Sequence, residues 1–196
     1  MNLIVSKKII LASKSPRRQQ LLEQMGLSFE VRTKEVEEIF PEEIEAADVA
    51  AYLASLKGKA FEGTLVEEEL LITSDTVVVN DGKVLGKPAD EQEALQMIAG
   101  MSGKKHQVYT AVCLATADHQ EVFTDCTEVV FRSLSKEEIA YYVSTYKPYD
   151  KAGAYGIQEW IGLIGIERIE GSYFNVMGLP TEKLYTYLKP YISYEK

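Results

Sequence analysis

Apolar residues along the chain follow two rhythms that alternate from the N-terminus onward. Ile9, Ile10, Leu11 and Ala12 form a short continuous run, the pattern of a buried strand. Leu21, Leu22 and Met25 then recur at helical spacing, between Pro16 at a first helical position and Gly26 at a helix end. Ser15 stands where an N-cap belongs. The stretch SFEVRT (28–33) alternates as a strand, and an acidic connector, KEVEEIFPEEIEAAD, is broken by Pro41. Residues 48–63 predict a helix with Val49, Leu53, Leu56 and Phe61 on its apolar face. LLITSDTVVVN (70–80) is the most apolar strand and runs into the hairpin signal NDGK. DEQEALQMIAGMSG (90–103) reads as a helix closed by glycines. HQVYTAVCLATA and EVFTDCTEVVFRSL read as long strands joined by a turn near Asp118. SKEEIAYYVSTY (135–146) opens on a capping box of Ser135 and Glu138. LIGIERI predicts a short strand, and TEKLYTYLKPYISYEK a terminal helix kinked or ended by Pro190. Helices alternating with strands, interrupted by hairpins, predict an α/β fold with a mixed sheet. No internal repeat or low-complexity linker divides it.

Composition narrows the setting without changing that picture. A chain of 196 residues buries a good core as one domain or as two closely packed lobes. It is 46% hydrophobic and 26% charged, as globular proteins are. A net charge of -9 argues against a nucleic-acid polymer as main partner, while a small phosphorylated ligand needs only a local basic pocket. No apolar run approaches the roughly 20 residues of a membrane span, and Lys7 and Lys8 interrupt the N-terminal apolar stretch, against a signal peptide. Cys113 and Cys126 form no CxxC and read as small apolar fillers in a reducing cytoplasm. Two cysteines with two histidines leave no structural zinc site.

Asp75 carries the sharpest chemistry. It lies between Leu70, Leu71, Ile72 and Val77, Val78, Val79, where a carboxylate is costly unless it meets a cation, a metal or a cleft. Lys14, Arg17 and Arg18 gather where the first strand meets its helix, whose free N–H groups and dipole favour an anion. Any single stretch of this kind is more often a solvated helix start. Lys87, in GKP, follows a glycine but lacks the Ser or Thr of a P-loop. His106 and His119 read as ordinary strand-start and turn residues, and no G-x-S-x-G elbow supports a serine hydrolase. YDKAGAYGIQEW (149–160) is equally well a ligand-lining loop or a simple turn before a helix.

In order, LASKSPRRQQLLEQMGLSFEV, SDTVV, GKP, SGKKHQVYTAV, DKAGAYGIQ and GSYFNVMGLP resemble the motifs of the Maf proteins, which are nucleoside triphosphate pyrophosphatases. The resemblance runs from residue 11 to about 180. It implies one domain over 1–196, an α/β fold with a mixed twisted sheet, flanking helices and two lobes around a nucleotide cleft, similar to inosine triphosphate pyrophosphatases. It further implies hydrolysis of the α–β phosphoanhydride, a divalent cation (Mg²⁺ or Mn²⁺), a nucleoside triphosphate as the partner, a homodimer and a cytoplasmic location. By motif, Asp75 resembles the proton acceptor, with Lys87 and Glu38 also catalytic and Glu38 and Asp75 on the metal. Ser13, Arg17 and Lys59 resemble phosphate contacts, and Arg17, Thr76 and Gln158 resemble the subgroup acting on dTTP and UTP. Glu159 departs from the pattern, because a small residue, usually glycine, follows the equivalent glutamine. Competing expectations are the sister subgroup acting on 7-methyl-GTP and a nucleotide-binding regulator of cell division without turnover.

Overall fold

The structure, a computed structural model, describes residues 2–195. In chain order its strands are β1 (Asn2–Val5), β2 (Lys8–Leu11), β3 (Phe29–Val31), β4 (Glu69–Asn80), β5 (Lys83–Leu85), β6 (Lys105–Ala115), β7 (Gln120–Phe131), β8 (Ile166–Glu170) and β9 (Ile192–Glu195). Its helices are α1 (Pro16–Gln24), α2 (Val49–Lys59), α3 (Glu91–Met101), α4 (Lys136–Tyr146), α5 (Trp160–Gly165), α6 (Tyr173–Met177) and α7 (Thr181–Leu188). The chain divides into two units, the first being Met1–Asp75, Thr110–Asp125 and Gly178–Lys196, the second Thr76–Tyr109 and Cys126–Met177.

In the first unit β2 pairs in parallel with both β3 and β4, so that Ile9 stands beside Phe29 and Leu70. Parallel neighbours require crossovers, and α1 and α2 provide them between β2, β3 and β4. Ile9, Ile10, Leu11, Leu70, Leu71 and Ile72 are fully buried, which explains why these strands read as continuous apolar runs. α1 begins at Pro16 as its sequence predicts, but the Ser15 side chain makes no capping hydrogen bond. α2 stops at Lys59, and the buried Phe61 lies in the turn that follows.

In the second unit β4 continues into a hairpin with β5, through Asp81 (φ 49°) and Gly82 (φ 75°). Two successive positive φ values match the twist of the flanking strands, the reason a D-G pair suits this turn. Ile98, Met101, Val108, Phe131, Tyr142 and Val143 belong to one core shared by α3, β6, β7 and α4. The capping box of α4 is present in both directions, from Ser135 to Glu138 and back.

Three expectations change. Leu163–Gly165 belong to α5, and the strand β8 starts only at Ile166. A short run such as LIGI fits either period, and here the N–H of Gly162 reaches the Glu159 carbonyl at 2.9 Å and turns it helical. The terminal helix ends at Leu188, a 3₁₀ turn holds Pro190, and β9 pairs antiparallel with β1. Cys113 is buried as expected of a filler, whereas Cys126 is exposed. Among the described residues no helix is long and apolar enough to cross a membrane.

Candidate active site

Asp75 is placed by the alternation of its own strand. Thr73 and Asp75, two residues apart, share one face of β4. The Thr73 hydroxyl donates to the Ala54 carbonyl of α2 at 2.6 Å, docking that helix on the strand. Lys57 lies three residues beyond Ala54, on the same side of the helix, and its ammonium therefore falls next to Asp75. α2 sits unusually close to the sheet, since a Cβ on Gly58 would meet the Cys113 sulfur at 2.6 Å. Burial raises the Cys113 thiol to about 11, so it fills space and carries no thiolate chemistry.

Lys57 Nζ is 2.8 Å from Glu38 Oε1 and 3.4 Å from Asp75 Oδ2. Only 18% of the Lys57 side chain and 12% of the Asp75 side chain are exposed, against 41% for Glu38. One ammonium thus joins a carboxylate from the acidic connector to the one set in the apolar strand. Charges this sheltered persist only when paired, and the shared cation satisfies that condition for both acids.

At the strand-to-helix junction Arg18 Nε donates to the Gly178 carbonyl and Nη1 to the Ser74 carbonyl, each at 2.8 Å. A longer contact of 3.4 Å links Nη1 to the hydroxyl of Ser13, which is buried. Burial pulls the Arg18 guanidinium below its usual range, and the Asp75 charge opposes that effect. Arg18 is therefore a brace that carries positive charge toward Asp75. Arg17, beside it in the first turn of α1, is partly buried.

Of the residues singled out in sequence, the first unit brings Glu38 and Asp75 together and seats Ser13 against Arg18. It does not bring Lys59 to the acids. Lys59 is exposed at the end of α2, while Lys57, two residues before it, pairs with both acids. The two lysines differ by two positions, about 200° around a helix, so only one of them can face β4. In the second unit Thr76 follows Asp75 on β4 and is partly buried, while Lys87 and Gln158 are exposed on loops.

Among the described residues no group of three or more His, Cys, Asp or Glu forms a metal cage. The donors that are present nonetheless fit a hard divalent cation. Mg²⁺ is commonly held by one or two carboxylates and completed by substrate phosphates and water, and Glu38 with Asp75 supply two carboxylates around a single point of positive charge.

The fold is that of a known solved structure, the Ham1 protein of Staphylococcus aureus, matched with a TM-score of 0.53 over 92% of this chain and 100% of that one at 16% sequence identity. A family model, "Maf-like protein", matches residues 8–191. The chain belongs to the Maf-like protein family. It is 55% identical over 181 residues to a dTTP/UTP pyrophosphatase of Flavobacterium johnsoniae, covering 92% of this chain and 93% of the relative. A dTTP/UTP pyrophosphatase of Phocaeicola vulgatus is 54% identical over 183 residues, 93% of this chain and 95% of the relative.

Proposed function

We propose that this chain is a nucleoside triphosphate pyrophosphatase that hydrolyses dTTP and UTP to the monophosphate and pyrophosphate. The observation that carries the reading is the Lys57 ammonium shared by Glu38 and by Asp75 in the middle of a buried apolar strand, in a chain 55% identical to a relative of that name. Asp75 accepts a proton from a water molecule. The water oxygen bonds phosphorus while the α–β anhydride P–O bond breaks, and pyrophosphate leaves. Lys57 pairs with Asp75 and offers positive charge to the phosphates. Arg17 and Ser13 bind phosphate oxygens at the start of α1, where the helix dipole favours an anion. Lys87 adds a further point charge. Glu38 and Asp75 would hold Mg²⁺ or Mn²⁺, which when bound offsets charge developing on the phosphoryl oxygens.

Base choice falls to Thr76 and Gln158. Uracil and thymine present two carbonyl acceptors around one N–H donor, an edge that the Gln158 amide pairs with through its own donor and acceptor. A base that leaves those groups unpaired binds more weakly. The test is pyrophosphate release from dTTP, UTP, CTP, ATP, GTP and 7-methyl-GTP with Mg²⁺ or Mn²⁺. The reading expects dTTP and UTP to give the highest kcat/KM. Best turnover of 7-methyl-GTP would overturn the base assignment, and binding without turnover of any nucleotide would overturn the reaction.

A further inference from the structure

The loop that carries Gln158 is locked by the residue immediately after it. Gly156 to Glu159 form a tight turn, closed by a hydrogen bond of 3.0 Å from the Glu159 N–H to the Gly156 carbonyl. Ile157 and Gln158 are its two central residues, the first buried in the core and the second exposed. The Glu159 side chain closes the same turn a second time. Its carboxylate lies over the bare α-carbon of Gly156, where an added Cβ would meet it at 2.8 Å.

That carboxylate is itself held at both oxygens. Oε2 accepts a short hydrogen bond from the Tyr142 hydroxyl of α4, and Oε1 is 3.1 Å from Lys151 Nζ. The Tyr142 oxygen in turn accepts the Gly156 N–H at 3.0 Å. Tyr142 is fully buried, and the side chains of Glu159 and Lys151 are only 18% and 10% exposed. Glu159 also occupies the N-cap position of α5, where an acidic side chain ordinarily turns back to the helix N–H groups, yet its side chain makes no such bond. Its carboxylate is used on the turn instead. Burial, reinforced by the neighbouring Glu159 charge, raises the Tyr142 hydroxyl above its usual range, so it stays a donor at working pH.

We propose that Glu159 is a positioning residue for base selection: by clamping Gly156 through Tyr142 and Lys151 it fixes the turn that presents the Gln158 amide. The proposal rests on the reading of Gln158 as the base contact. A rigid turn holds the amide at one angle to a pyrimidine edge, whereas a loose one lets it adapt to other bases. The bulk and charge of Glu159 are spent inside the loop and leave the space around Gln158 open.

The test compares Gln158→Ala, Glu159→Gln, Glu159→Ala and the double variant Gln158→Ala with Glu159→Ala, with kcat and KM measured separately for dTTP and CTP. Glu159→Ala is expected to lower kcat/KM for dTTP about tenfold, mostly through KM, with little change for CTP. Glu159→Gln keeps an oxygen for Tyr142 and recovers part of the loss. In the Gln158→Ala background, Glu159→Ala adds nothing to the loss of selectivity, because both act through one amide. An unchanged dTTP to CTP ratio in Glu159→Ala, beside a lowered ratio in Gln158→Ala, overturns the proposal alone. An unchanged ratio in Gln158→Ala overturns the reading of Gln158 and the proposal with it. Equal kcat losses on both nucleotides together with a lowered melting temperature, in Glu159→Gln as in Glu159→Ala, would make Glu159 structural only.

Discussion

Lys57 and His106 are both titratable residues largely sheltered from water, and their surroundings solve that problem in opposite ways. Lys57 is shared by Glu38 and Asp75, so the first unit keeps three charges together in a half-sheltered place. His106, in the second unit, shares a hydrogen bond of 2.8 Å between Nε2 and the Tyr155 hydroxyl and packs edge-on to Phe131 at 4.9 Å. Its Nδ1 has no hydrogen-bond partner among the described residues. Burial lowers the His106 pKa to about 4, which leaves the ring neutral at any ordinary pH. A cluster that keeps its charges is able to meet phosphates, metal ions and a proton. A cluster that excludes charge is a piece of core with polar atoms in it. The Glu159–Lys151 pair stands between the two cases, charged but turned inward on the loop it holds.

Of these side chains, Lys57 is expected to matter most for turnover. Replacing it by Met removes the cation between two carboxylates and is expected to lower kcat by about 10²–10³, the cost of losing a preorganised charge. Lys59→Ala, two residues on, is expected to stay within about twofold of the parent, because its side chain points away from the acids. Equal losses in the two variants, measured as pyrophosphate release from dTTP, would give Lys59 the same weight as Lys57 and dissolve the contrast.

Arg17→Ala comes next. Loss of one charge-assisted phosphate contact is expected to raise KM for dTTP about tenfold with a smaller change in kcat. A KM equal to that of the parent would show that the basic start of α1 is a solvated surface.

His106 is expected to affect turnover least and acid stability most. Its folded pKa of about 4 lies below the ordinary 6.5. The unfolded chain therefore takes up a proton between those values that the folded chain refuses, and stability falls as pH drops through that window. The loss amounts to about 3 kcal/mol once pH is below both values. Chemical denaturation from pH 7 to pH 4 should show this slope in the parent and a flatter one in His106→Gln, with kcat at pH 7.5 nearly unchanged. A large kcat loss in His106→Gln without loss of stability would place His106 in the reaction.

What the sequence made legible follows the range of the physics involved. Asp75 stood out because a carboxylate inside LLITSDTVVV conflicts with its own neighbours, a conflict visible within ten residues. The hairpin at Asp81 and Gly82 and the capping box at Ser135 are likewise local rules. Lys57 was harder, because what selects it over Lys59 is the Thr73 hydroxyl on the Ala54 carbonyl and the contact of Gly58 with Cys113, both distant in sequence. Glu159 is visible as a departure from the motif, yet its partners Tyr142 and Lys151 lie on other segments and meet it only in the fold. β1 and β9 escaped for the same reason, since each is four residues long and exists only as the other's partner.

The role of Asp75 as proton acceptor is tested most directly by pyrophosphate release from dTTP by Asp75→Asn, with Mg²⁺ present and the melting temperature followed in parallel. The substitution keeps the size of the side chain and removes the proton acceptor. The expected result is a loss in kcat of about 10²–10⁴ with the fold intact. Turnover close to that of the parent, in a preparation free of other pyrophosphatases, would contradict it.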